Sequence, residues 1–172
     1  MDISIINANE TNTDVGIMIG NKNAKKTIIE FINLRCPYCR QWFLDHEDLL
    51  KQEVANGNVK RVIKLYDKEK ESLQRGNVMH QYITKGDEKK ALADIKKIFL
   101  SQDSWGDLSL DAVAEFAENN LKLVNYADEL TQKAIRDEAK RANIQFVPTM
   151  IIDNHIFDES ISETTLLNYL HY

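Results

Sequence analysis

Thr27-Ile28-Ile29-Glu30-Phe31-Ile32 is a near-continuous apolar run. It is short and β-branched, the pattern of a central strand buried on both faces. Val59 to Tyr66 reads as a second strand. Between them Cys39, Phe43, Leu50 and Val54 fall near helical spacing on one side, so the pattern predicts a helix from the cysteine pair to about Val54, ended by Gly57. From about Lys70 to Asn143 the pattern turns helical. Ala91, Leu92, Ile95, Ile98 and Phe99 form one amphipathic stripe; Leu110, Val113, Ala114, Ala117 and Leu121 form another. Ser109 is placed to cap the second, with Asp111 near the positive end of the helix dipole. Gly86 and the stretch Ser101 to Asp107 interrupt the run, and Asn125 is a candidate cap for a long helix to about Arg141. Thr149 to Ile152 and His155 to Phe157 read as two short strands joined by Asp153-Asn154, a hairpin without the favoured Asn-Gly. Ser160 with Glu163 matches a capping box before a last helix through Leu170. Ser4 to Asn7 reads as a short edge strand, and the polar stretch to Asp14 as loop.

The order is therefore strand–helix–strand, a block of helices, then hairpin and helix. That order predicts an α/β fold, a sheet with helices on its faces and a helical insertion in the middle. The predicted segments are 1–68, a first half carrying the cysteines; 69–135, the insertion; and 136–172, the second half. At 172 residues the chain has the size of one domain and can bury a core without staples. A hydrophobic fraction of 43% with 28% charged residues is ordinary for a soluble globular protein. The net charge of −5 argues against nucleic acid as a partner. A basic stretch from Lys60 to Lys70 is interrupted by acidic residues and reads as a solvated strand and loop. No window is long and apolar enough for a membrane span. Met1 to Asn7 lacks the basic start and apolar run of an export signal, so the expected location is cytoplasmic, or exported if a signal has been removed.

The chain has two cysteines, in Arg35-Cys36-Pro37-Tyr38-Cys39-Arg40. The motif directly follows the buried-strand pattern and opens a helix. Thiolate, not thiol, is the nucleophile, and free N–H groups and the dipole at a helix N-terminus stabilise the anion. Pro37 suits the first helical turn, where its missing N–H costs nothing. Cys36, at the exposed tip, is expected to be the activated thiolate. Cys39, a turn further in, is expected to be buried and within bridging reach. Cys36 would attack a partner's disulfide, and Cys39 would then resolve the mixed disulfide. Zinc wants four ligands, and His46, His80, His155 and His171 are too scattered to complete a set with this pair within one chain. A metal or iron–sulfur cluster shared between two subunits stays open. So do idle cysteines in a binding or adaptor module, whereas the intact cysteine pair argues against a glutathione-dependent isomerase chemistry.

Glu30 lies inside the apolar strand, with Ile28 and Ile32 as same-face neighbours. A carboxyl at least partly buried there would have a raised pKa and could relay the proton of Cys39 through water. Pro148, in Phe146-Val147-Pro148-Thr149, is the only proline besides Pro37. At a strand start it is either an ordinary trans proline or a cis one. Trp42, Trp105 and His46 read as packing or boundary residues, and Tyr38 as an exposed contact residue.

Together these residues resemble the DsbA-like branch of the thioredoxin superfamily, from about Gly20 to Leu170. Asn23 to Phe31 leading into Cys36-Pro37-Tyr38-Cys39 is similar to that family's first core strand and active-site turn. Glu30 stands where thioredoxin-fold proteins place a buried acid. Val147-Pro148-Thr149 is similar to the family's cis-proline loop, and the helices between Lys70 and Asn143 to its inserted helical domain. The resemblance implies a thioredoxin fold with a central mixed sheet, and thiol–disulfide oxidoreductase activity on protein substrates without a cofactor or metal. It implies catalysis by Cys36, Cys39 and Glu30, and substrate contact through Val147, Pro148, Pro37 and Tyr38. Glutathione or another redox protein would serve for recycling. Pro37-Tyr38 departs from the Pro-His of the strongly oxidising members, which leaves the direction of exchange open, and a cytoplasmic member would meet a reducing pool.

Overall fold

The computed structural model describes residues 1–172. Its centre is a five-stranded mixed sheet of β1 (Ile17–Ile19), β2 (Lys26–Ile32), β3 (Val59–Leu65), β4 (Thr149–Ile152) and β5 (His155–Phe157), in the order β1-β3-β2-β4-β5. Only β2 and β3 are parallel. The pleat splits β2 between two cores. Ile28 and Ile32 join the larger core, under α1 (Pro37–Asp45), α2 (Glu47–Ala55) and the C-terminal helix. Ile29 and Phe31 join a smaller one with Val62 and Ile151. Burial on both faces is why this strand reads as a continuous apolar run rather than an alternating one.

The chain between β3 and the last strands forms α3 (Gln74–Met79), α4 (Glu88–Leu100), α5 (Gln102–Trp105), α6 (Leu110–Asn119) and α7 (Glu129–Arg141), and α8 (Glu163–His171) ends the fold. Ile95, Ile98, Phe99, Trp105, Val113 and Ala117 extend the larger core away from the sheet. α7 instead covers the opposite face, through Ile135 and Ala139. It spans 129–141, so the segment boundary drawn between residues 135 and 136 falls inside a helix.

Several sequence expectations are corrected. The stretch from Lys60 to Lys70 is not a solvated strand at its start, because β3 is buried almost throughout. Arg61 and Lys64 point to opposite faces of the sheet. Each meets a buried acid there: Arg61 reaches Glu30 of β2 at 2.7 Å and Lys64 reaches Glu138 of α7 at 2.6 Å. A charge enters a core only with such a partner. The edge strand is Ile17–Ile19, not Ser4 to Asn7. The N-terminal segment is tied instead to the end of α7, by Asn7 N–H donating to the Ala142 carbonyl at 2.8 Å. The helix after the cysteines breaks at His46, whose φ of −109° and ψ of 9° leave the helical range. His46 is itself buried, with its ring 4.3 Å from that of Trp42. Asp128 rather than Asn125 caps α7, and Ser162 rather than Ser160 caps α8. Ser109 caps α6 as the pattern predicts.

Candidate active site

β2 runs out at Ile32, and the chain turns through Asn33, Leu34 and Arg35 into α1. Cys36 is the N-cap residue of α1, with extended backbone (φ −69°, ψ 123°), and Pro37 opens the first turn. This places the sulfur of Cys36 beside backbone N–H groups that no intrahelical carbonyl can satisfy. The Cys36 pKa is lowered to about 7. The main cause is a hydrogen bond from the Cys39 thiol. Partial burial opposes it, the N–H groups of Cys39 and Tyr38 reinforce it, and the negative charge of Glu159 opposes it weakly. As a thiol, Cys36 donates to the Val147 carbonyl at 3.6 Å.

Cys39 behaves in the opposite way. It is fully buried, and burial pushes its pKa well above the ordinary thiol value, with the hydrogen bond it gives to Cys36 adding to the rise. The N–H of Asn33, which donates to its sulfur at 3.4 Å, works against that rise. Both cysteines are free thiols. The arrangement sets a thiol of lowered pKa at the helix tip above a buried thiol of raised pKa.

Across the site, Val147 and Pro148 join α7 to β4, and the peptide bond between them is cis. Val147 is half-buried and Pro148 buried. The Val147 N–H makes no bond within the protein, and its carbonyl meets only the Cys36 thiol. Tyr38 and Phe146, next in the chain to the motif's Pro37 and to Val147, are 57% and 51% exposed, and Pro37 is exposed as well. The structure thus brings Cys36, Cys39, Pro37, Tyr38, Val147 and Pro148 together.

Glu30 lies deeper and is fully buried. Its counter-ion is Arg61, which donates to Oε2 at 2.7 Å and to Oε1 at 2.9 Å, and Oε1 also accepts from Trp42 Nε1 at 2.7 Å. The sequence pattern shows no such partner. None of these bonds goes to a cysteine. A carboxylate offers about four acceptor directions, so the three donors leave one, on Oε2.

The turn before the motif carries residues that sequence reasoning did not single out. Asn33 is fully buried, and its side chain bonds the carbonyls of Tyr66 and Leu73, the side chain of Asn77 and the N–H of Arg35. Gln102 donates to the Leu34 carbonyl at 2.9 Å, and His80 accepts from the Leu34 N–H at 3.1 Å. Arg35 and Arg40 pair with Asp107 and Asp103 on the α5 side. No signal short of the tertiary contacts marks His80, Gln102, Asp103 and Asp107, which come from the helical block and lie far away in sequence. No group of three or more His, Cys, Asp or Glu side chains is gathered for a metal.

Comparison with known proteins agrees with the fold. A structure of a conserved protein of unknown function from Enterococcus faecalis V583 superposes with a TM-score of 0.98 at 53% identity, covering 100% of this chain and 98% of that one. BdbD from Bacillus subtilis, in its oxidised form, matches with a TM-score of 0.65 at 15% identity, covering 91% of this chain and 94% of that one. A periplasmic thioredoxin-like protein from Salmonella enterica serovar Typhimurium matches with a TM-score of 0.66 at 21% identity, covering 93% and 90%. At these low identities the last two speak for the fold alone. No curated protein matches the chain. A family model described as thioredoxin matches residues 12–171, nearly the whole length, and the chain belongs to the thioredoxin family, with a DsbA-like architecture.

Proposed function

We propose that this protein exchanges disulfides with protein substrates through Cys36 and Cys39, and that it works toward the reducing end of that chemistry. The observation that carries the reading is the placing of the two thiols: Cys36 caps the N-terminus of α1 with its sulfur at the Val147 carbonyl, while Cys39 is fully buried with the Asn33 N–H on its sulfur, and the first is accordingly lowered to about 7 and the second raised. A thiol with its pKa near ambient pH combines a useful thiolate fraction with retained nucleophilicity.

In the reducing direction, Cys36 thiolate attacks one sulfur of a substrate disulfide. The new S–S bond joins Cys36 to the substrate, and the other substrate sulfur leaves as thiolate. Cys39 then loses its proton and attacks the Cys36 sulfur. The Cys36–Cys39 bond forms, the second substrate sulfur leaves, and the substrate has gained two electrons that the dithiol has lost. The open acceptor direction on Glu30 Oε2 is assigned to take the Cys39 proton through water. Val147, with an unused N–H beside the nucleophile, is assigned to pair with extended substrate backbone, and Pro148, Pro37 and Tyr38 to flank it.

The direction rests on the thiolate. Thioredoxin-type cysteines lie near pH 7, whereas strong oxidants hold theirs near about 3.5, because stabilising the thiolate stabilises the reduced form. Glutathione or another redox protein would restore the dithiol, in keeping with a cytoplasmic setting. The test is the reduction potential in graded glutathione buffers, together with turnover of a protein disulfide by wild type and Cys36→Ser. A potential near or below roughly −230 mV, with turnover lost in Cys36→Ser, is expected. A value above roughly −180 mV reverses the direction. Unchanged function in Cys36→Ser makes the protein an adaptor with idle cysteines.

A further inference from the structure

The turn that delivers the cysteines is gripped from outside the sheet. Leu34 is fully buried, and both of its backbone polar groups are held by side chains of the helical block: His80 takes its N–H and Gln102 its carbonyl. A backbone N–H only donates, so the Nε2 of His80 must be bare, and the ring proton sits on Nδ1. Nδ1 in turn donates to Asp67 Oδ1 at 2.6 Å. Asp67 is fixed by Gln132 Nε2 at 2.9 Å and Arg136 at 3.4 Å. The carboxylate therefore selects the tautomer that Leu34 requires, the device by which second partners orient histidines elsewhere. The next N–H back along the chain is that of Asn33, which ends on Cys39 Sγ. These two consecutive N–H groups share one turn, so its orientation is common to both. The His80 side chain is fully buried, which leaves water little access to replace it.

We propose that His80, set by Asp67, is a positioning residue for Cys39. Through Leu34 it holds the Asn33 N–H on the resolving sulfur, and so governs the second step of disulfide exchange far more than the first. The inference rests on the proposed function, since it assumes that Cys39 resolves mixed disulfides.

The experiment follows release of nitrothiobenzoate when the reduced protein meets dithiobis-nitrobenzoate. Cys36 attacks and releases one aryl thiolate; Cys39 then attacks the Cys36 sulfur and releases the second. In His80→Phe the first phase is expected to stay within about twofold of wild type and the second to slow about tenfold, the rate equivalent of leaving one buried donor unsatisfied. His80→Gln, whose side-chain oxygen reaches the same N–H, restores the second phase. Asp67→Asn, which keeps the ring but removes the charge that selects the tautomer, slows the second phase alone. An unchanged second phase in either His80→Phe or Asp67→Asn overturns the proposal, as does slowing of both phases in equal proportion, or failure of His80→Gln to rescue. If His80→Phe does not fold, Asp67→Asn and His80→Gln decide the matter by the same readout. Absence of a second phase in the wild type would sink the proposed function instead, because Cys39 would then not be a resolving thiol.

Discussion

The backbone N–H of Asn33 lies 3.4 Å from the sulfur of Cys39 and donates to it. It opposes burial, which raises the Cys39 pKa, while Cys36, three positions earlier in the chain, is lowered to about 7. The difference between the two thiols thus comes from depth and from donors, which for Cys36 the motif itself supplies: the Cys39 thiol and the N–H groups of Cys39 and Tyr38. Cys36 sits at the helix tip with N–H groups and a thiol pointed at it. Cys39 sits in the core with one N–H.

That asymmetry fixes the pH dependence of Cys36 alkylation. Below its pKa the group is protonated and unreactive, so the rate rises with pH and levels off above about 7. Because the largest cause of the lowering is the Cys39 hydrogen bond, Cys39→Ala should move the midpoint upward, toward the ordinary thiol value of 9.0. Iodoacetamide kinetics across the pH range measure both. A midpoint unmoved in Cys39→Ala would place the stabilisation in the helix N-terminus alone.

Glu159, in the loop between β5 and α8, acts in the opposite sense, its charge raising the pKa of Cys36. Glu159→Gln removes that charge, so the midpoint falls and alkylation quickens at pH values below it. The substitution leaves no buried group unpaired, because the residue is only half-buried. Slower alkylation in the variant would mean that the carboxylate favours the Cys36 thiolate instead of opposing it.

Which parts of this site were legible in the sequence follows from how local their causes are. Cys36, Pro37 and Cys39 mark themselves, because a helix start after a buried strand is written in adjacent residues. Ser109 and the apolar stripe of α4 are legible for the same reason. The charged core is not. Lys64 reads as a solvated lysine until Glu138, 74 residues later, arrives on the other layer. Glu30 reads as an unpaired acid until Arg61, 31 residues on, is placed beside it by the parallel register of β2 and β3. His80 and Gln102 are further cases, being ordinary polar residues of the helical block that become part of the site only because that block closes over Leu34.

The Glu30–Arg61 pair separates a structural role from a chemical one. Arg61→Met leaves a fully buried carboxylate without its counter-ion and should cost about 3–5 kcal/mol, read as a lower urea midpoint. Glu30→Gln in the Arg61→Met background removes the orphaned charge and should recover most of that loss. Glu30→Gln alone tests the proton relay: it should slow release of the second aryl thiolate at neutral pH while leaving the Cys36 step intact. An unchanged second phase would confine Glu30 to holding Trp42 and Arg61 in the core.

Gly76, in α3, tests the other end of the Asn33 network. A Cβ there would stand 1.9 Å from Asn33 Oδ1 and 2.7 Å from the backbone nitrogen of Arg35. The first neighbour is the side chain that bonds Tyr66, Leu73 and Asn77, and the second is backbone, so neither yields easily. Gly76→Ala should therefore cost about 1–3 kcal/mol, the usual range for an overpacked core. Since the clash falls on the residue whose N–H reaches Cys39, the second phase of thiol release should slow as well. Gly57→Ala is the matched control. Its φ of +74° disfavours any side chain, yet nothing lies within 4 Å of its Cβ position. Urea unfolding should show a loss of stability in both variants, because backbone strain at positive φ and overpacking both act on the folded state. Thiol kinetics should change only in Gly76→Ala. Equal slowing in the two would mean that the second step follows overall stability rather than the seating of Asn33.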